Sequence, residues 1–315
     1  MKKFLLAIGA VVALVALSQP VSANRWDVNG DGTVSSTDIT LLYNYLLNGE
    51  LLYPESAYDV NKDGTITSVD ITEIYNVLLN GFPVETTEYT VNGVKFTMVN
   101  VEGGTFSMGN PDYQSHLDFY AEGPVHQVTV SSFAIGQTEV TQELWQAVMG
   151  FNYSGHGGSL QYPAEYMTWE LVQQFISTLN ELTGKNFRLP TEAEWEFAAR
   201  GGNKSGGFLY SGSNILNDVA WYDANSGEES HIVGTKAPNE LGIYDMSGNV
   251  WEYCSDWFGE YSADAQTNPT GPETGQEKVI RGGSWYGGAS VCRVSQRFKV
   301  PTLFGDDDIG FRLAL

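Results

Sequence analysis

Cysteine, basic side chains and long apolar runs are all scarce in this 315-residue chain. Two cysteines exclude a disulfide-dense scaffold and any zinc site built from four thiolates. Sixteen Lys and Arg face 38 Asp and Glu, a formal charge of −22. That balance argues against nucleic acid or an anionic membrane as the main partner, since both select basic surfaces. Calcium or an uncharged ligand fits better. The four histidines, His116, His126, His156 and His231, form no His-x-x-x-His or His-Glu pairing, so a zinc or non-haem iron triad is unsupported. No Gly-x-Ser-x-Gly elbow and no phosphate-cradling Gly-Lys loop is present. What the chain does have is 42% hydrophobic and 13% aromatic residues, enough for buried cores in roughly two domains and too much for wholesale disorder.

The longest apolar run, residues 4–17, follows Lys2 and Lys3 and leads to the small residues Val21-Ser22-Ala23. A run of this length is too short to span a bilayer, and the charged, apolar and cleavage-site order is that of a secretory signal peptide. Residues 1–23 are therefore expected to be removed near Ala23, leaving a secreted chain. A buried helix is the structural alternative. With no cysteine at that junction, no lipid or other membrane anchor is expected.

A repeat follows. Asp27-Val28-Asn29-Gly30-Asp31-Gly32-Thr33-Val34-Ser35-Ser36-Thr37-Asp38 returns 32 residues later as Asp59-Val60-Asn61-Lys62-Asp63-Gly64-Thr65-Ile66-Thr67-Ser68-Val69-Asp70. Oxygen-bearing side chains at loop positions one, three, five and twelve, with Gly at six, are what a hard cation such as Ca2+ requires. The expected ligands are Asp27, Asn29, Asp31, the Thr33 carbonyl and Asp38, then Asp59, Asn61, Asp63, the Thr65 carbonyl and Asp70. Asp replaces the usual bidentate Glu at position twelve. A helical apolar pattern follows each loop, over 39–47 and 71–79, stopped by Asn48-Gly49 and Asn80-Gly81. Residues 24–82 resemble a type I dockerin domain. The resemblance implies a small all-α unit with two calcium loops, a cohesin module as partner, and contact through Ser36, Thr37, Ser68 and Val69. Near-duplication implies two similar faces and two binding orientations.

Residues 83–88 read as a polar linker, and Tyr89-Thr90-Val91, Asn92-Gly93 and Val94-Lys95-Phe96 as a hairpin opening the next domain. Residues 89–315 predict an α+β domain of low regular content. Helices are expected over 141–148, capped by Thr138 or Thr141, over 169–182, and from Thr191 with Glu194 closing a capping box. Several strings here, in this order, are similar to the formylglycine-generating enzyme (sulfatase-modifying factor) family. They are Gly103-Gly104-Thr105-Phe106-Ser107-Met108-Gly109, Thr138-Glu139-Val140-Thr141, Arg188-Leu189-Pro190-Thr191-Glu192-Ala193-Glu194-Trp195-Glu196, Ser247-Gly248-Asn249-Val250-Trp251-Glu252, Arg281-Gly282-Gly283-Ser284-Trp285 and Gly310-Phe311-Arg312. The resemblance implies a fold related to C-type lectins.

It also implies chemistry: oxidation of a cysteine to formylglycine in exported sulfatases, by a copper ion on two thiolates that stand third and eighth after the motif serine. Counted from Ser284 those positions are Gly287 and Cys292, so one thiolate is missing. Counted back from Gly310-Phe311-Arg312 the loop is a few residues short, and Cys292 then matches neither position. Ser284 and Cys292 are thus only weak catalytic candidates, and copper is not expected. Cys254 and Cys292 are expected to pair in a disulfide, with two separate buried thiols, or a metal or redox pair, as the alternatives. The resemblance further implies a calcium site at Asp245, the carbonyls of Gly248 and Val250, and Glu252, with turn and surface carboxylates as the alternative. Trp221, Tyr222, Trp251, Trp257, Trp285 and Tyr286 could pack a core or line a carbohydrate or peptide groove. The reading that results is a dockerin-bearing binding module in a cohesin-organised, polysaccharide-degrading assembly. Its rival is a formylglycine-generating oxidoreductase or another enzyme on the same fold.

Overall fold

The computed structural model of the protein describes residues 19–20, 26–31, 33–80, 84–110 and 122–315. The expected signal peptide lies outside the described residues apart from 19–20, and His116 lies outside them too. The chain divides into two compact units, Met1–Pro83 and Val84–Leu315. No helix among the described residues is long and apolar enough to cross a membrane.

The small unit holds helices α1 (Ser36–Asn48), α2 (Glu55–Tyr58) and α3 (Ser68–Asn80). Strands β1 (Gln19–Pro20) and β2 (Thr33–Val34) pair antiparallel, so the unit is not purely helical. Helix α1 begins ahead of its apolar stripe because Ser35 caps it: its hydroxyl accepts from the Thr37 amide while Asp38 closes a capping box. It ends where Gly49 turns left-handed at φ 67° and donates to the Tyr45 carbonyl. Leu42, Tyr58, Val60 and Ile74 are wholly buried between the repeats.

In the large unit, β3 (Thr86–Val91) and β4 (Val94–Val101) form the expected hairpin. Asn92 and Gly93, at φ 48° and 86°, make its two-residue turn. Strand β3 starts inside the expected linker, because Thr86 and Thr87, β-branched and suited to a ladder, pair with Val99 and Met98. The remaining strands are β5 (Gly104–Met108), β6 (His126–Val130), β7 (Phe133–Gly136), β8 (Trp251–Trp257), β9 (Gln266–Thr267), β10 (Glu277–Arg281), β11 (Arg297–Pro301) and β12 (Ile309–Gly310). They form three small sheets, ordered β3-β4-β7, β5-β6-β9 and β11-β10-β8-β12. Helices α4 (Gln142–Met149), α5 (Trp169–Thr183) and α6 (Glu192–Ala199) are capped by Thr141, Thr168 and Thr191, the last with the expected box to Glu194. Helix α7 (Leu216–Val219) is a single turn. Apart from 3-10 turns at Gly202–Lys204 and Ala289–Val291, the rest of the described large unit is loop, as the glycine content implies.

The structure corrects the disulfide: Cys254 and Cys292 are both free and buried. Cys254 on β8 packs into the cluster of Trp195, Val279 and Val294, whereas Cys292 packs against Leu216 and Ala220. Each thiol fills its own hydrophobic pocket, as small apolar side chains do. Titration with a thiol reagent is expected to find two thiols after unfolding without reductant and essentially none in the native chain. Zero thiols after unfolding would restore the disulfide.

Candidate functional site

Both repeat loops are closed by their twelfth residue. Asp38, fully buried, accepts from the amides of Val28 at 2.8 Å and Ser35 at 2.9 Å, so one carboxylate ties the loop's start to its end. Asp70 repeats this with Asn61 at 3.1 Å and Thr67 at 2.8 Å. The position-one and position-three oxygens of each loop converge on the amide of position five: Asp27 and Asn29 on Asp31, at 3.2 and 3.0 Å, and Asp59 and Asn61 on Asp63, at 3.1 and 3.0 Å. The Thr33 and Thr65 amides and hydroxyls donate to Asp31 and Asp63, which holds those two carboxyls below the ordinary range. The donor set is all oxygen, as calcium needs, and is here folded onto its own amides. Among the described residues no three His, Cys, Asp or Glu side chains gather closely enough to hold a metal. Of the expected cohesin-contact residues, Thr37, Ser68 and Val69 are exposed and Ser36 is half-buried.

The copper positions are built differently from a dithiolate site. Gly283 is left-handed at φ 78°, and a Cβ there would meet the Cys292 Sγ at 2.9 Å, which explains the glycine of the motif. At Gly287 a Cβ would lie 2.5 Å from Val291 Cγ2, so a cysteine there would need Val291 to move. Burial, with Asp223 adding, pushes the Cys292 thiol up to about 12. Burial raises Cys254 as well. Ser284 donates to Asp308 Oδ2 at 2.8 Å. Trp251 and Trp285 are buried, and Tyr286 stands 74% exposed.

Asp245 and Glu252, the two carboxylates of the expected calcium set, lie within each other's field, but Glu252 is already taken up by other groups. Both oxygens of Glu252 accept from Arg312 at 2.5 Å, and Oε2 also accepts from Trp195 Nε1 at 2.7 Å. Asp245 Oδ2 accepts from the Gly234 amide at 2.6 Å. The neighbour that pairs with Asp245 is Glu139, which takes the Asn249 amide on Oε1 at 3.0 Å. Asp245 and Glu139 share a side-chain hydrogen bond, which needs a proton on one of them, and no other group among the described residues reaches Asp245 Oδ1 or Glu139 Oε2. Burial raises both carboxyls, Asp245 to about 6.

Two further carboxyls carried no sequence signal. Glu165 is buried beside the 155–156 turn, accepting from the amides of Gly155 at 3.0 Å and His156 at 2.7 Å. Burial, reinforced by Asp307, lifts it to about 7. Asp256, at the end of β8, is lifted to about 7 by burial and by Glu192. Among the histidines, His126 packs edge-on to Tyr261, His156 edge-on to Trp285, and His231 stacks on Trp221 at 3.8 Å.

A family model of the sulfatase-modifying factor enzyme 1-like domain matches residues 86–315, and one of the dockerin type I domain matches residues 25–79. Chaperone protein LppX from Paenibacillus barcinonensis is 34% identical over 268 residues, covering 69% of this chain and 88% of that protein. Formylglycine-generating enzyme from Streptomyces coelicolor is 34% identical over 175 residues, covering 50% and 54% of the two chains. The solved structure of Treponema denticola variable protein 1 superposes with a TM-score of 0.67 at 35% identity, over 73% of this chain and 98% of that one.

Glu165 sets a pH dependence. Its carboxyl binds protons more tightly folded than unfolded, so its contribution to stability is present at low pH and is lost as pH rises from about 4.5 to about 7. Relative to the native chain, Glu165→Gln is therefore expected to gain stability across that window. Urea midpoints at about pH 4 and about pH 8 measure it, and an unchanged difference between them would remove burial as the cause.

Proposed function

The chain belongs to the family of sulfatase-modifying factor enzyme 1-like domains and carries a dockerin type I domain, and from that premise we propose that it is an exported, calcium-loaded, cohesin-tethered protein whose large unit binds a ligand instead of oxidising cysteine. The tether would hold one Ca2+ in each repeat, through Asp27, Asn29, Asp31, the Thr33 carbonyl and Asp38, and through Asp59, Asn61, Asp63, the Thr65 carbonyl and Asp70. Support comes from the all-oxygen donor set and from Asp38 and Asp70, which already close each loop onto its helix. Bound calcium supplies the positive charge that lets three carboxylates of one loop converge. The exposed Thr37, Ser68 and Val69, with Ser36, would then face the cohesin from rigid helix starts.

The observation that carries the non-oxidising reading is the pair of positions Gly287 and Cys292. One offers no sulfur and the other a single buried thiol, so two soft ligands for Cu(I) are not assembled. A ligand-binding role, for carbohydrate or peptide in a polysaccharide-degrading assembly, follows from that loss together with the tether. The oxidoreductase reading keeps the family resemblance in its favour and needs a second thiolate. Calcium in the large unit does not fit, because Arg312 and Trp195 take up Glu252.

Equilibrium dialysis of the full chain is expected to find two tightly held calcium ions, and one after Asp38→Asn or Asp70→Asn. Three ions would place one in the large unit, and none would remove the calcium tether. Incubating the full chain with copper, oxygen and a sulfatase-derived cysteine peptide is expected to leave the peptide mass unchanged. Loss of the thiol with gain of the aldehyde would overturn the binding-module reading.

A further inference from the structure

The chain holds four Asn-Gly steps, Asn29-Gly30, Asn48-Gly49, Asn80-Gly81 and Asn92-Gly93. At such a step the residue after the asparagine has no Cβ, so its amide nitrogen can approach the side-chain carbonyl carbon closely. Gly81 lies outside the described residues, and two of the other three steps are held away from that approach. The Gly49 amide donates to the Tyr45 carbonyl at 2.7 Å, and the Asn92 side chain is drawn off to the Ala147 carbonyl at 2.8 Å. Asn29 is held the other way. Its Oδ1 accepts from the Asp31 amide at 3.0 Å, closing a ring that contains the Gly30 nitrogen, so Cγ is folded back toward the atom that would attack it. No hydrogen bond occupies the Gly30 amide among the described residues, and nothing lies within 4 Å of the place a Gly30 Cβ would take.

The second repeat supplies the matched control. Asn61 Oδ1 accepts from the Asp63 amide at the same 3.0 Å, and Lys62 is left-handed at φ 58°, as Gly30 is at φ 68°. The two turns therefore differ chiefly in the Cβ that Lys62 puts beside its own amide nitrogen. We propose that Asn29 is a spontaneous deamidation site that unmakes the first calcium loop and spares the second. The Gly30 amide nitrogen gives its proton to solvent base and bonds to Asn29 Cγ; the Cγ–Nδ2 bond breaks, and ammonia leaves with a proton from water. Water then opens the succinimide ring at either carbonyl, giving an aspartyl or an isoaspartyl residue with no change of oxidation state. The aspartyl form sets a carboxylate where the Asn29 amide had donated to Asp31 Oδ2 at 2.8 Å. The isoaspartyl form runs the main chain through Cγ and adds a backbone atom between loop positions three and four, which displaces ligands whose spacing the loop must fix. The loss of a calcium loop rests on the calcium-tether reading of the small unit, whereas the chemistry at Asn29 does not.

The full chain, stripped of calcium, is aged in mildly alkaline buffer and mapped by peptide mass spectrometry, which reads the exchange of NH2 for OH and separates the isoaspartyl form. Asn29 is expected to convert about tenfold or more faster than Asn61, Asn48 or Asn92, a barrier lower by about 1.4 kcal/mol. Gly30→Lys is expected to slow Asn29 to the rate of Asn61, and Lys62→Gly to raise Asn61 to the rate of Asn29. Equal rates at Asn29 and Asn61 in the native chain, a faster Asn48 or Asn92, or an Asn29 rate unmoved by Gly30→Lys would each overturn the site. Equilibrium dialysis of the isoaspartyl fraction is expected to find one calcium ion where the fresh chain holds two, and two ions would overturn the loss of the first loop. No ion in the fresh chain would instead bring down the tether reading, while the rates at Asn29 and Asn61 still decide the modification site.

Discussion

Three buried guanidinium groups hold the large unit together. Arg281, Arg297 and Arg312 are at most 1% exposed, and each is answered by a buried carboxylate: Glu196, Glu192 and Glu252 in turn. Arg281 and Arg297 face each other across the β10–β11 ladder and both reach α6, while Arg312, near the C-terminus, reaches β8. Short sheets and long loops cannot align themselves by backbone pairing alone, so these pairs, forked at Arg297 and Arg312 and single at Arg281, set where α6 sits against β8, β10 and β11. Such pairs add little net stability over apolar packing, but removing one partner leaves an uncompensated buried charge and costs about 3–5 kcal/mol. The constraint reaches function directly, because Glu252 is spent on Arg312 and Trp195 and is lost to calcium.

The same network shows how the family scaffold can be held independently of the loop that follows Ser284. The motif strings from 188 to 196 and from 281 to 285 supply the ion pairs and the left-handed glycines that the fold needs, so they serve the framework whatever the active-site loop contains. Gly283 is required where the backbone crowds Cys292, with or without copper. The loop after Ser284 makes no comparable demand on the framework, and there the two thiolates are absent as a pair. A fold hosts unrelated functions when its framework and its site are carried by different residues, and that separation is visible here residue by residue.

The small unit works by a different economy of parts. In each repeat a single aspartate closes the loop and, in the first repeat, also completes the helix cap. The loop closure and the helix start are therefore built on the same carboxylate, so ordering the loop orders the exposed residues at the first turn of the helix.

Much of this was legible along the chain, because it rests on local physics. The loop positions of Asp27 through Asp38 and their repeat, the Thr191–Glu194 box, the Asn92-Gly93 turn and the helix stop at Gly49 all involve residues within a turn or two of one another. So does the absence of a cysteine at 287. What the chain order could not reveal depends on partners far apart in sequence. Thr86 and Thr87 read as a linker until Val99 and Met98 pair with them. Cys254 and Cys292 read as a disulfide until separate hydrophobic clusters claim them. Glu252 read as a calcium ligand until Arg312 takes its oxygens, and Glu139 reaches Asp245 from 106 positions away. Glu165 and Asp256 are ordinary acids in sequence, and only burial makes them unusual. Sequence determined the two families, the loop chemistry and the missing thiolate, because these are spacings. The tertiary structure decided which carboxylates are spent and which are free, because a charge in a low-dielectric interior is defined by what the fold sets against it.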